Sequence, residues 1–353
     1  MNNTSIILLS SGTTNLPKAI MLSEENVVSN IIAISDYLKL THEDNILLIK
    51  ELSHSSSIIG ELFVGLTNTC KIVLGENIPI AKYILPIIKK ERISVFFAVP
   101  SILKDFIMTY YNEIFSNSSL RLINFYGAPM NATDINKLMD IFPNTNLIYS
   151  YGQTEASPRV TYIEKDDIKR KKGSSGRPIN DVQVFIMRDN NMMCKIGEIG
   201  EIVVEGPNVM QGYYLNRKNT EKTIVNGKLY TGDYGYLDED GFLFVTGRKD
   251  NLLISSGKNI YPEEIERVLL ELPGINEVLV ASNDKGDATS ELVAYVVTKH
   301  DYKIKLSYIF EHCKKNLEAY KIPKDIYFTN ELLKTGSGKI IRNQKPMIIK
   351  PEL

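Results

Sequence analysis

The chain has few cysteines, no excess of either charge and no long apolar run, and each shortage removes a class of protein. Its three cysteines, Cys70, Cys194 and Cys313, are far apart, odd in number and form no Cys-x-x-Cys pair. That argues against a disulfide framework and for reduced, packed thiols in a cytoplasmic protein. The four histidines, His42, His54, His300 and His312, do not cluster with the cysteines, so no zinc site is expected. Lys and Arg number 41 against 42 Asp and Glu, a formal net charge of −1. Such a balance speaks against a protein held to nucleic acid by a positive field. No apolar stretch approaches the ~18–20 residues that span a bilayer. The N-terminal run MNNTSIILLSSG has neither the basic region nor the apolar length of a signal peptide. Internal repeats and low-complexity linkers are also missing. What is present is 353 residues, 43% of them apolar, enough for a sizeable core in about two domains.

Hydrophobic patterning divides the chain into three parts. Residues 4–9 predict a short buried strand, and 70–74, 93–99 and 120–125 predict core strands. Helical periodicity occupies 24–39, 80–91, 101–115 and 131–141, with Ser23 and Asn131 as N-caps. Leu147–Tyr151 adds another strand. Strands alternating with helices at this spacing predict an α/β unit with a mostly parallel sheet. After residue 172, segments 181–188, 198–205, 229–237 and 242–247 are short, alternating and separated by Gly, Asn and Asp, as in an antiparallel β unit. From about 250, Pro262 and two acids open a helix. Strands near 275–282 and 291–298, a helix near 306–319 and a strand near 325–329 complete a compact α+β module. The expected division is therefore 1–172, 173–249 and 250–353.

Four segments carry candidate chemistry. Ser10-Ser-Gly-Thr-Thr-Asn-Leu-Pro-Lys18 combines hydroxyls, backbone N–H groups and one Lys in a loop able to cradle a polyphosphate, although it is not a Walker A loop. Tyr149-Ser-Tyr-Gly-Gln-Thr-Glu155 sets an aromatic for a base, a hydroxyl for a phosphate and a carboxylate for Mg²⁺ at a strand end. Tyr230-Thr-Gly-Asp233 and Gly247-Arg-Lys-Asp250 offer a carboxylate to ribose hydroxyls and an Arg beside it. Lys334-Thr-Gly-Ser-Gly-Lys339-Ile-Ile-Arg342 presents a Lys on a small-residue loop. Taken singly, each can also be an ordinary polar turn or a solvated surface Lys, and for the Tyr149–Glu155 and Lys334–Arg342 segments that plain reading is the favoured one.

Together and in this order the four segments resemble the adenylate-forming superfamily of acyl-CoA synthetases, adenylation domains and luciferases, AMP-forming acyl-CoA synthetases most of all. The stretch GEIGEIVVEGPNVMQGYY fits as well, and the resemblance covers essentially the whole chain. It implies an enzyme, an acid–thiol ligase. Such an enzyme converts a carboxylic acid and ATP to acyl-adenylate and pyrophosphate, then passes the acyl group to CoA or to the phosphopantetheine of a carrier protein. It implies an ATP-binding core over 1–172, a β subdomain over 173–249 and a mobile C-terminal domain over 250–353.

By match, Ser10, Ser11, Gly12, Thr13, Thr14 and Lys18 hold the outer phosphates. Gly127, Ala128, Pro129, Tyr151 and Gly152 line the adenine. Thr154 touches the α-phosphate and Glu155 binds Mg²⁺. Asp233 and Arg248 take the ribose, and Lys339 neutralises charge during adenylation. Asp250 is the implied hinge, with Ser256 and Gly257 at the thiol tunnel. His54, in Glu-Leu-Ser-His-Ser-Ser-Ser-Ile-Ile-Gly60, resembles the family's histidine bordering the carboxylate. Gln153 stands where amino-acid-activating members tend to carry Pro, which favours a fatty or aryl acid.

Some positions depart from the pattern. Asn15 replaces a Gly in the phosphate loop, Glu51 a Pro before His54, Ile254 a Lys after the hinge, and Leu333 a Pro before Lys334. Tyr126 replaces a small residue before Gly127 and is expected to crowd or reshape the acyl pocket. Only about nine residues precede the phosphate loop, where the family has a further subdomain. Three explanations compete: a truncated chain, a natural split with a partner polypeptide supplying that subdomain, or a degraded gene product, the first two being favoured because the ATP and Lys339 motifs are intact; the uncovered surface predicts self-association or aggregation. The competing expectation is a nucleotide-binding subunit of a split or degenerate adenylate-forming enzyme, inactive without a partner chain.

Overall fold

The computed structural model describes residues 3–10, 17–76, 78–255, 258–283, 291–299, 302, 304–334, 340–342, 344 and 346–347. They fall into two compact units. The first comprises residues 1–231 and 235–245, the second 232–234 and 246–353.

The first unit is organised by a seven-stranded sheet. Its order is Lys71–Leu74, Asn45–Leu48, Val95–Ala98, Leu122–Tyr126, Asn146–Tyr151, Thr161–Glu164 and Arg177–Pro178. The first five strands are parallel and the last two are antiparallel additions. Along Val95–Ala98, Val95 and Phe97 enter one core cluster while Phe96 and Ala98 enter the other. Helix Glu24–Leu38 supplies Ile34 and Leu38 to the first cluster; helices Ala81–Glu91, Pro100–Thr109 and Ala132–Ile141 supply Ile88, Phe106 and Leu138 to the second. A parallel sheet covered on both faces needs strands that are apolar on both sides, and all four residues of Val95–Ala98 are buried. Each fully buried Phe, such as Phe96 or Phe106, contributes roughly 1.5–3 kcal/mol by leaving water.

Local sequence fixes the helix starts. The Ser23 side chain accepts from the Asn26 N–H at 3.1 Å, and the Asn26 side chain accepts from the Ser23 N–H at 2.9 Å. This reciprocal cap satisfies two donors that the helix would leave orphaned. Asn131 caps Ala132–Ile141 by accepting from the Asp134 N–H at 2.7 Å.

Two strands differ from expectation. Thr4–Ser10 lies outside the parallel sheet, in a three-stranded antiparallel sheet with Lys18–Ser23 and Gly212–Tyr213. Leu8 is buried, but Ile7 is 48% and Leu9 67% exposed, because alternate residues face opposite sides of the sheet. Lys71–Leu74 is not a core strand. It is the edge of the large sheet, with Leu74 71% exposed.

The expected antiparallel segments are present as Gln183–Met187, Gly200–Glu205, Lys228–Leu237 and Leu243–Arg248. Within the second unit, Ile275–Asn283 pairs antiparallel with Glu291–Thr298, which pairs in parallel with Asp325–Phe328. Helices Pro262–Leu270 and Leu306–Asn316 cover one face through Ile265, Leu269, Ile309 and Cys313. Leu332 packs against Leu279, Val293 and Tyr295 on the other face.

Candidate nucleotide and acid site

Strand pairing, rather than a strand-to-helix turn, holds the ends of the first loop. Ser10 is the register partner of Lys18, so the loop between them closes a β-hairpin. Residues 11–16 of that loop, including Ser11, Gly12, Thr13 and Thr14, lie outside the described residues. Lys18 leads away from it toward Tyr213 on the next strand, its ammonium 5.1 Å from the centre of the Tyr213 ring. The Tyr213 hydroxyl donates to Glu155 Oε1 at 3.0 Å. One continuous line of contacts, Lys18–Tyr213–Glu155, thus joins the end of the phosphate-type loop to the Tyr-Gly-Gln-Thr-Glu segment. Sequence reading passed over Tyr213, although it stands in the quoted Gly212-Tyr213 pair.

The segment after strand Asn146–Tyr151 folds back on itself. A Cβ on Gly152 would stand 2.0 Å from the Pro158 carbonyl oxygen, so only glycine permits this return. Two buried asparagines pin the returning chain. Asn30 Nδ2 donates to the Arg159 carbonyl at 2.9 Å, and Asn208 Nδ2 to the Ala156 and Arg159 carbonyls at 3.1 and 3.0 Å. Thr154 and Glu155 therefore sit on a fixed short turn. The Thr154 and Ser55 hydroxyls share a hydrogen bond of 2.9 Å. His54, the expected neighbour of the carboxylate, is exposed and starts the short helix that carries Ser55. Gly127, Ala128 and Pro129 form an exposed loop directly after strand Leu122–Tyr126, with Gly127 at φ +93°. Tyr151 is half-buried at the end of its own strand. Ligand sites in open α/β sheets gather at such carboxyl ends of strands.

In the second unit, Asp233 and Arg248 come together: Arg248 Nη1 donates to Asp233 Oδ1 at 2.9 Å. Gly232, at φ +70°, leaves room for the guanidinium, since a Cβ there would stand 3.4 Å from Arg248 Nη2. Asp250 is exposed on the turn Lys249–Asn251. Strands Leu253–Ser255 and Lys258–Ile260 pair around Ser256 and Gly257, which themselves lie outside the described residues. Lys339 also lies outside them, in a segment whose ends meet as the antiparallel bridge of Lys334 with Ile340.

A buried charged cluster, absent from the sequence reading apart from Tyr126, fills the strand ends of the first unit. The Tyr126 hydroxyl donates to Glu61 on the π-helical segment Ile58–Phe63, and Lys50 Nζ donates to the same hydroxyl at 3.4 Å. The Tyr126 ring lies 4.0 Å from the Arg159 guanidinium carbon and 4.6 Å from the Lys50 ammonium. Burial raises the Glu61 carboxyl to about 7, against the Tyr126 hydroxyl, Lys50 and Arg159, which favour its ionised form. Burial lowers Lys50, with Glu61 opposing.

Mg²⁺ is usually held by one or two carboxylates, with phosphate oxygens and water completing its shell. The donor set here fits that use. Among the described residues no three His, Cys, Asp or Glu side chains gather as a protein cage, while Glu155 offers one oxygen-ligand carboxylate beside the phosphate-type hairpin.

Comparison with known proteins defines a class: an enzyme that joins an acid to a thiol through an adenylate. Residues 1–214 match the family described as AMP-binding enzyme, and 264–339 match the AMP-binding enzyme C-terminal domain. A 2-succinylbenzoate–CoA ligase of Listeria monocytogenes is 34% identical over 347 residues, spanning 98% of this chain and 70% of that protein. An indoleacetate–CoA ligase of Aromatoleum aromaticum is 31% identical, over 98% of this chain and 67% of its own. The O-succinylbenzoate coenzyme A synthetase of Bacillus subtilis, solved with its acyl-adenylate intermediate, superimposes with a TM-score of 0.89 at 30% identity, covering 100% of this chain and 71% of that one. The same enzyme solved with ATP and magnesium gives 0.87 at 30% identity, covering 98% and 70%.

The chain belongs to the AMP-binding enzyme family. It is an AMP-forming acid–thiol ligase that uses ATP and Mg²⁺ to activate a carboxylic acid as its adenylate, then transfers the acyl group to a thiol. None of these likenesses calls for a separate partner chain. Among the described residues no helix is long and apolar enough to cross a membrane.

Proposed function

We propose that the acid is an aryl carboxylic acid and the acceptor CoA, with the reaction run by the residues that the family resemblance implies. Gln153 and the aryl acids named for the relatives support the acid, and the CoA ligase relatives support the acceptor over a carrier protein. The observation that carries the nucleotide assignment is the line Lys18–Tyr213–Glu155, which ties two separate motifs to one edge of the first unit.

The first half-reaction is attack of the acid's carboxylate oxygen on the α-phosphorus with loss of pyrophosphate. It calls for positioning and charge neutralisation more than covalent catalysis. Ser10, Ser11, Gly12, Thr13, Thr14 and Lys18 receive the outer phosphates. Thr154, held by Ser55, orients the α-phosphate. Gly127, Ala128, Pro129, Tyr151 and Gly152 receive the adenine, and Asp233 with Arg248 the ribose. Glu155 would hold Mg²⁺, which supplies neutralisation of phosphate charge when bound. His54 borders the reacting carboxylate, and Lys339 stabilises the charge that develops during adenylation. Asp250 acts as the hinge of the C-terminal part, residues 250–353, and Ser256 and Gly257 line the way for the thiol. The remaining parts are the nucleotide core, 1–172, and its β subdomain, 173–249. The balance of cysteine and charge favours a cytoplasmic setting.

The test is acid-dependent exchange of pyrophosphate into ATP by the purified chain, followed by CoA thioester formation. The expected result is exchange that requires Mg²⁺ and an aryl acid. Absence of both exchange and ATP binding would reject the assignment.

A further inference from the structure

Residues 210–214 are stitched to two motifs at once. The Gln211 and Tyr214 N–H groups donate to the Met21 and Ala19 carbonyls at 2.9 and 2.7 Å, on the strand that begins with Lys18. The Met210 N–H donates to the Glu155 carbonyl at 3.0 Å, and the Tyr213 hydroxyl to Glu155 Oε1 at 3.0 Å. One short stretch of chain thus holds Glu155 at its backbone and at its carboxylate. Among the described residues Glu155 Oε2 accepts no hydrogen bond. Tyr213 is fixed in turn. It is 5% exposed, pairs with Ile20, and its N–H donates to Thr220 Oγ1 at 2.9 Å. Packing alone would be served by a phenylalanine; the hydroxyl is what reaches Glu155. The face of the same ring carries the Lys18 ammonium, 5.1 Å from its centre.

We propose that Tyr213 is a positioning residue: its hydroxyl orients the Glu155 carboxylate for Mg²⁺ and its ring seats the Lys18 ammonium, so that one side chain sets both the metal ligand and the end of the phosphate loop. The proposal rests on the reading above, in which Glu155 holds Mg²⁺ and Lys18 the outer phosphates. Mg²⁺ demands near-ideal octahedral geometry and takes few protein carboxylates, so a carboxylate held in one orientation serves it better than one that rotates. Groups that orient a metal ligand matter about 10–100-fold for metal affinity.

The two contacts separate in Tyr213→Phe, which keeps the ring and loses the hydroxyl, and Tyr213→Leu, which loses both. The readout is ATP binding by calorimetry, first with EDTA and then with rising Mg²⁺. Tyr213→Phe should raise the Mg²⁺ needed for half its effect on ATP binding by about 10–100-fold, with ATP affinity in EDTA unchanged. Tyr213→Leu should in addition weaken ATP binding in EDTA by about two- to fivefold, as loss of a cation–ring contact does. Glu155→Ala should raise the Mg²⁺ requirement by itself. In that background Tyr213→Phe should add less than about twofold, because no carboxylate is left to orient. A tyrosine that only supports the fold would weaken ATP binding alike with and without Mg²⁺, and its cost would add to that of Glu155→Ala. An unchanged Mg²⁺ requirement in Tyr213→Phe, equal losses with and without Mg²⁺, or additive costs overturns the proposal. An unchanged Mg²⁺ requirement in Glu155→Ala would instead overturn the reading of Glu155, and the proposal with it.

Discussion

Each unit buries a glutamate near an arginine, and the two pairs are built differently. In the second unit Arg342 grips Glu266 with both ends of its fork, Nη1 to Oε1 and Nη2 to Oε2, each at 2.7 Å. The Val280 N–H adds a third bond to Oε1 at 2.8 Å, tying helix Pro262–Leu270 to strand Ile275–Asn283. In the first unit Glu61 takes the Tyr126 hydroxyl instead, and Arg159 keeps two donors without partners. A closed pair of this kind holds elements together; the open one leaves the Arg159 guanidinium with donors that its own unit does not use. The first unit thus withholds polar capacity from its own fold, where the second spends it on architecture.

The largest expected effect tests whether the second unit's chemistry rests on one side chain. Lys339→Ala should slow adenylation about 10³-fold, roughly 4 kcal/mol of barrier, as loss of a transition-state charge donor does. Thioester formation from supplied acyl-adenylate should survive. Equal loss of both half-reactions would give the second unit a larger share than the comparison allows. Next, Glu266→Ala should destabilise the second unit by about 3 kcal/mol, because Arg342 loses both bonds. Chemical denaturation read by circular dichroism measures this, and a change under about 1 kcal/mol would break the contrast between the pairs.

An effect confined to one pH window follows from Glu61. Its carboxyl is raised from 4.5 to about 7, so the folded state binds the proton more tightly than the unfolded state. Stability from this group is fully present below about 4.5 and is lost as pH rises through about 7. The loss should reach about 3 kcal/mol at most, and Glu61→Gln should flatten that part of the native stability–pH curve. Parallel curves for native and variant would show that Glu61 does not titrate in this window.

Local chemistry made much of this legible. Ser23 and Asn131 cap the helices they were expected to cap, and Pro262 opens its helix, because capping depends on residues three apart. The order of the loops was equally readable, since each motif is contiguous. The pairings were not. Tyr126 and Glu61 are 65 residues apart, and Tyr213 and Glu155 are 58 apart. Only the folded sheet brings such residues to one edge. Arg159 in Ser157-Pro-Arg-Val160 looks like an ordinary surface charge until the turn after Gly152 buries it. Edge position was hidden too. Lys71–Leu74 is as apolar as a central strand, and nothing in its own residues tells which neighbour it lacks.

The two arginines differ in what their own unit asks of them. The most direct measurement is the chemical-denaturation stability of the native chain, of Arg342→Met and of Arg159→Met. Arg342→Met strips Glu266 of a two-bond partner, and the account predicts a loss of about 3 kcal/mol. Arg159→Met removes a guanidinium whose Nε and Nη2 have no partner, and the loss should stay under about 1 kcal/mol. Equal losses in the two variants, or a larger one for Arg159→Met, would contradict it.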